Sequence, residues 1–348
     1  VSTINGNANP LIVVDGNIFD LPDDVSATDF EDLDNEEQFA TLLSVNPEDI
    51  KEIKVLKDAA ATAIWGSKGA NGVLEITTRR GVMGKTKINF SYRFTGAWSP
   101  EGLNMLNGDG YTMMMKEAYF NPQQSPASSN IVELNYDQSR PMYYHNFNKN
   151  TDWVDAVNQF GQTHNYYVTL TGGGEKARFR ISGGYDHQTG TIIKQEMDRF
   201  STRMVLDYYV SDRILFSTNF ALSYTDNHRN WDGSSTSSIL GKAYSAMPNM
   251  SIYEYDQYGI PTGDFYKMLP TAKEDNETPD GYSSKYLSDM KNNGNPVAIA
   301  HRAFNNQSTY RINPQFNLRY KLLGKDDESH QLDLNAEIYM DIYNQSDN

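Results

Sequence analysis

The chain has 348 residues, room for two or three ordinary domains or one large one, and 22% of them are charged, with a net charge of −15. That density of charge leaves no run of about 20 apolar residues to cross a membrane as a helix, and the acidic balance excludes the clustered lysines and arginines that a nucleic-acid surface needs. Cysteine is absent, which removes disulfides, thiolate catalysis and cysteine-type zinc sites together.

In chain order, residues 11–14 (LIVV) read as a short buried strand closed by the turn pair Asp15-Gly16. The acidic segment that follows, from Phe19 to Glu37, reads as a solvated loop, since it lacks the alternating oxygen ligands and central glycine of a calcium loop. At NPEDIKEIKVLK, Asn46 is placed to cap a brief helical turn opened by Pro47, and Ile53 and Val55 then alternate with charged neighbours as in a strand. Asp58 is expected to cap a short helix through Ala59, Ala60 and Ala61 that Gly66 ends, and Asn71-Gly72 forms a turn into the strand VLEITT. The glycines of GSKGANG follow a helix and precede a strand, the reverse of a phosphate-binding Walker loop. Residues 1–82 therefore predict a small mixed α/β unit, with Ala59, Ala60, Gly66, Gly69 and Gly72 allowing close packing.

From residue 83 a different pattern repeats. About seven long strands are predicted, at 86–98, 164–171, 176–186, 199–209, 213–225, 309–322 and 331–343. On each, one face is apolar and uncharged (Ile88, Phe90, Tyr92 and Phe94 on the first) and the other polar (Asn89, Ser91, Arg93 and Thr95). A face that tolerates no charge borders either lipid or a dry protein core. Lengths of about 9–13 residues are enough to cross a bilayer when tilted, whereas sandwich strands are usually shorter. Short links alternate with long connections near 99–163, 187–198 and 226–308, as in barrels with short periplasmic turns and long outer loops. An odd strand number cannot close a single-chain bacterial barrel, so further strands are expected outside this sequence. Pro314 is expected to mark a bulge.

These motifs carry a resemblance. PLIVVDG followed by NPEDIKEIKVLKDAAATAIWGSKGANGVLEITTRRG resembles the last part of the plug of TonB-dependent outer-membrane transporters, most closely the SusC/RagA branch of the Bacteroidota. The likeness continues through NTDWVDAV, HNYYVTLTGGGEKARFRISGGYDHQTGTI, RFSTRMVLDYYVSD and NPVA. It implies a mainly β fold: a transmembrane antiparallel barrel of roughly 22 strands with a small α/β plug in its lumen, residues 83–348 supplying the first barrel strands. It implies import of oligosaccharides or peptides across the bacterial outer membrane, with a SusD-like surface lipoprotein and TonB, ExbB and ExbD as partners and a dimer of transporter–lipoprotein pairs as one assembly. A SusC-like structural scaffold and a soluble carbohydrate-binding sandwich are the alternative readings. No enzyme, cofactor or metal is expected, because the six histidines show no ligand spacing and no Ser-His-Asp set or carboxylate pair stands out.

Expected site residues follow from the same reading. Asp58, Ala59, Ala60, Gly66, Gly69, Asn71 and Gly72 form the plug-packing motif, and Arg79, Arg80 and Gly81 mark the exit into the first barrel strand. Inward-facing Arg93, Arg178 and Arg180 are expected to bind the plug's acidic groups. Trp98, Tyr185 and Tyr224 are expected at the outer membrane interface, and Tyr208, Tyr209 and Tyr320 at the periplasmic one. Trp231, Tyr244, Tyr253 and Tyr255 in the long loops are candidates to stack on a sugar ring.

Overall fold

The computed structural model describes residues 10–19, 45–57, 63–123, 134, 138, 141–230, 238–266, 294–324 and 332–347. Asp58, Ala59, Ala60, Ala61 and Trp231 therefore lie outside the described residues.

The N-terminal unit is one four-stranded sheet. Strand β1 (Leu11–Val14) turns through Asp15 and Gly16, both at positive φ as a two-residue hairpin requires, into β2 (Asn17–Phe19). Asn46 caps a single 3-10 turn at Pro47–Asp49, which leads into β3 (Ile50–Leu56), and β4 is Val73–Thr78. The strand order is β2-β1-β4-β3, with β1 parallel to β4 and β3 antiparallel to it. The central pair is the buried one, so LIVV is continuously apolar: Ile12, Phe19, Val45 and Ile76 form the core of this unit.

Between β3 and β4, Ala63–Gly69 forms 3-10 turns broken at Gly66, whose φ of 60° and ψ of −144° few residues other than glycine adopt. A side chain there would meet open space, so Gly66 serves the bend and not close packing. Gly69 is buried, and Gly72, at φ 100°, lies against the backbone oxygen of Leu56.

The remaining strands build an antiparallel wall: β5 (Gly84–Ala97), β6 (Gly161–Gly173), β7 (Ala177–Thr189), β8 (Glu196–Ser211), β9 (Ile214–Asn230), β12 (Phe304–Leu323), β13 (Leu332–Tyr339) and β14 (Ile342–Asp347). Each strand pairs with its neighbour in the chain, β12 with β9, and β13 and β14 successively with β12. The described strands form an open wall with β5 at one edge and β13 and β14 at the other.

Pro314 does not cause a bulge. It keeps register with Phe220 on β9, and on its other side Ile312 opposes Ile342 while Gln315 opposes Tyr339, with no residue inserted. Met340 still donates its N–H to the Pro314 carbonyl at 3.1 Å. Proline's missing N–H points to that same side, so one bond of the ladder is lost and β13 and β14 are divided there.

Short turns join β6 to β7 and β8 to β9; at the other end, the connections 98–160 and 231–303 are long. The connection at 190–195 is short, because β7 and β8 continue beyond the span suggested by sequence. The long connections carry α1 (Gly108–Gln123), α2 (Pro141–Phe147), α3 (Trp153–Val157), α4 (Ile239–Ser245), the hairpin of β10 (Tyr253–Tyr255) and β11 (Pro261–Phe265), and α5 (Pro296–Arg302). They share one apolar core around Phe147, Trp153, Val157, Ile239, Met250 and Val297.

Candidate functional site

The wall's two faces differ in chemistry as alternation requires. Ile88 (71% exposed) and Phe90 (68% exposed) stand outward, in cross-strand rows with Leu170, Ile181, Met204 and Phe220 and with Val168, Leu222 and Ile312. One row toward the loops is almost wholly aromatic: Tyr92, Tyr166, Tyr185, Phe200, Tyr224 and Tyr310. Ring centroids within it lie 5.0 Å (Tyr92–Tyr166), 6.1 Å (Tyr166–Tyr185) and 4.5 Å (Tyr224–Tyr310) apart. The next row keeps Phe94 on β5 and then changes to His164, His187, Asp198 and Asp226. From Tyr310 to Tyr320 is about ten residues, about 33 Å of strand, or about 25 Å of height at a tilt of about 40°, the apolar band of an outer-membrane barrel.

Tyr185 and Tyr224 thus lie in the loop-side aromatic row, and Tyr208 is outward and exposed. Tyr209 turns inward instead, where the Arg178 guanidinium sits 5.1 Å from its ring centre, as one-residue alternation after Tyr208 demands. Trp98, just beyond β5, packs on Phe160 at 5.0 Å.

The inner face holds the N-terminal sheet through buried carboxylates. Asp49, 3% exposed, accepts hydrogen bonds from the Tyr167 hydroxyl at 2.6 Å, the Ser182 hydroxyl at 2.7 Å and Arg180 Nη2 at 3.3 Å. Arg180 Nη2 also donates to the Tyr167 oxygen at 3.0 Å, closing the cluster. Asp15, in the hairpin turn, accepts from the Thr78 backbone at 2.8 Å and the Thr78 hydroxyl at 2.6 Å within its own sheet. From the wall it accepts from Asn219 Nδ2 at 2.9 Å and Arg203 Nη1 at 3.4 Å. Arg93 pairs with Glu48 at 3.2 Å in a more exposed position. Of the three arginines expected to bind acidic plug groups, Arg93 and Arg180 do so, while Arg178 stacks on Tyr209.

The exit segment is fixed as well. Arg79 donates from its backbone to the Asp49 carbonyl at 2.8 Å, and Arg80 pairs with Asp207 at 3.2 Å, which also accepts from the Ser217 hydroxyl at 2.7 Å. Gly81 passes so close to β7 that a Cβ would stand 2.5 Å from the Phe179 backbone nitrogen. Gly81→Ala is expected to destabilise the protein by about 1–3 kcal/mol through overpacking, read as a lower thermal midpoint. An unchanged midpoint would mean that this segment does not lie on the wall.

The described loop tyrosines do not converge. Tyr253 stacks on Phe265 at 5.5 Å, and Tyr255 lies beneath the Lys149 ammonium at 4.0 Å. Tyr244 borders a cleft of about 800 Å³ between residues 100–107, α1, α3 and α4, its hydroxyl against Gly102. Sequence reading missed this cleft, and missed Asp15, Asp49, Arg203 and Asp207 as anchors. The available signal was the inward parity of Tyr167, Ser182 and Arg203, which places hydrogen-bonding groups opposite the sheet.

Along β6–β9 the polar face is the one covered and the apolar face the one exposed, the reverse of a β-sandwich. Together with the inner sheet, this is the wall of a plugged β-barrel. No family model matches the chain. It is 25% identical over 260 residues to TonB-dependent receptor P3 of Formosa agariphila, covering 73% of this chain and 22% of the relative. It is 26% identical over 303 residues to TonB-dependent receptor SusC of Bacteroides thetaiotaomicron, covering 85% of this chain and 26% of the relative. The fold matches a chain of the RagAB peptide importer with a TM-score of 0.62 at 18% identity, over 97% of this chain and 35% of that one. The chain spans about a quarter of the length of these curated relatives. It resembles SusC/RagA-type TonB-dependent transporters in sequence and in fold over most of its own length.

Proposed function

We propose that the chain forms the plug (residues 1–82) and the first wall strands (residues 83–348) of an outer-membrane importer of oligosaccharides or peptides. The reading rests on one observation above all: a small sheet hung on the polar inner face of a wall by the buried carboxylates of Asp15 and Asp49, while the outer face is apolar and banded by aromatics. Cargo would enter from the loop side beneath a SusD-like lipoprotein, and TonB with ExbB and ExbD would supply the energy. Gly69 and Gly72 would keep the plug closely packed, and Gly66 and Asn71 would turn it sharply. The role is transport and not catalysis.

Uptake of labelled cargo by cells carrying the full-length protein is expected to fall to background on deletion of TonB or dissipation of the proton gradient. Uptake that survives both would sink the reading. Stable co-purification with assembly machinery and no effect on uptake would favour a structural scaffold instead.

A further inference from the structure

The cleft beside Tyr244 has a one-sided chemistry. Among the described residues, its charged lining is Glu101, Asp152 and Asp155, with no lysine, arginine or histidine. Its most exposed apolar side chains are aliphatic and thioether, Leu103 (76% exposed), Met105, Leu106 and Met114, while the rings of Tyr111 and Tyr244 are only partly exposed. The largest aromatic on its border, Trp153, is only 3% exposed, and its indole N–H is already given to the Met247 carbonyl at 2.8 Å. Trp153 therefore presents no flat platform to a sugar.

Each feature selects against one kind of cargo. Three carboxylates with no cation among the described lining residues, on a chain of net charge −15, repel acidic sugars and acidic peptides. A neutral glycan would find few of the flat ring faces on which sugars stack. Methionine and leucine instead adapt to varied apolar side chains, and the volume of about 800 Å³ falls within the range of small-ligand sites.

We infer that this cleft takes a short peptide segment carrying lysine or arginine together with apolar side chains. The inference deepens the importer reading and rests on it, narrowing the cargo from oligosaccharides or peptides to basic, partly apolar peptides. The carboxylates meet the basic groups, and the Leu103, Met105 and Met114 side chains cover the apolar ones.

The test uses the full-length protein in detergent and three fluorescent probes of equal length or size: a Lys/Leu peptide, a Glu/Leu peptide and a neutral oligosaccharide. The Lys/Leu peptide is expected to bind at least tenfold more tightly than the other two, and to weaken at least tenfold between low and high salt. The triple variant Glu101→Gln, Asp152→Asn, Asp155→Asn should lose the same factor. Asparagine at 152 can still cap α3, where Asp152 accepts from the Asp155 N–H at 2.9 Å, so folding is preserved. Equal binding of the two peptides, or a triple variant that binds as the parent does, overturns the inference. Energy-dependent uptake of the oligosaccharide without uptake of the basic peptide overturns it too but leaves the importer standing. Salt-sensitive peptide binding with no energy-dependent uptake of any probe supports the cleft and removes the importer.

Discussion

Asp49→Ala is expected to destabilise the seating of the plug by about 3–5 kcal/mol, because removing one partner of a buried ion pair leaves the other charge uncompensated. The Arg180 side chain is 11% exposed, and Tyr167 and Ser182 would lose their acceptor with it. Tyr167→Phe removes one hydrogen bond and should cost about 1 kcal/mol. Asp49→Ala combined with Arg180→Met should cost less than the sum of the two single changes, since the orphaned charge is gone. Hydrogen exchange at the β3 and β4 amides reads these differences. Protection in Asp49→Ala equal to that of the parent protein would show that the plug is held elsewhere.

A charge on the outer face should act by depth. Met204 lies in the middle of the apolar band, in the row of Phe220 and Pro314, and Phe200 lies in the aromatic row. Met204→Arg is expected to cost about 2–4 kcal/mol and Phe200→Arg about 0–1 kcal/mol. Urea titration of the full-length protein folded into phospholipid vesicles measures both. Equal penalties at the two depths would mean that this face does not border lipid.

The wall was legible because alternation is a local signal. Ile88, Phe90, Tyr92 and Phe94 show their common face without reference to any other strand. The anchors were not legible for the opposite reason. Asp49 follows Pro47 and Glu48, so it reads as an acid at a helix start, and its partners Tyr167 and Ser182 stand 118 and 133 residues further on. Tyr209 was misplaced because two adjacent tyrosines cannot share a face, and neither one alone says which points outward. The loop helices eluded pattern reading in another way. Segments as short as α3 and α4 are not stable alone, and Trp153, Ile239 and Val297 become a core only when distant connections meet. The cleft inherits that difficulty, being shaped by helices that no local pattern announces.

The plug's own apolar cluster contains plug residues alone, while its joint with the wall is built from carboxylates, hydroxyls, amides and guanidinium groups. Two recesses along that joint, of about 20 and about 30 Å³, are each large enough for about one water molecule. Phe19, whose ring lies 3.4 Å from the Arg311 guanidinium, and Val14 and Val45 beside one recess are the apolar plug residues on this joint; the hydrogen bonds across it are polar and exchangeable. Water could replace Ser182 on Asp49, or Asn219 on Asp15, one bond at a time, so the joint behaves more like a wetted bearing than a glued seam.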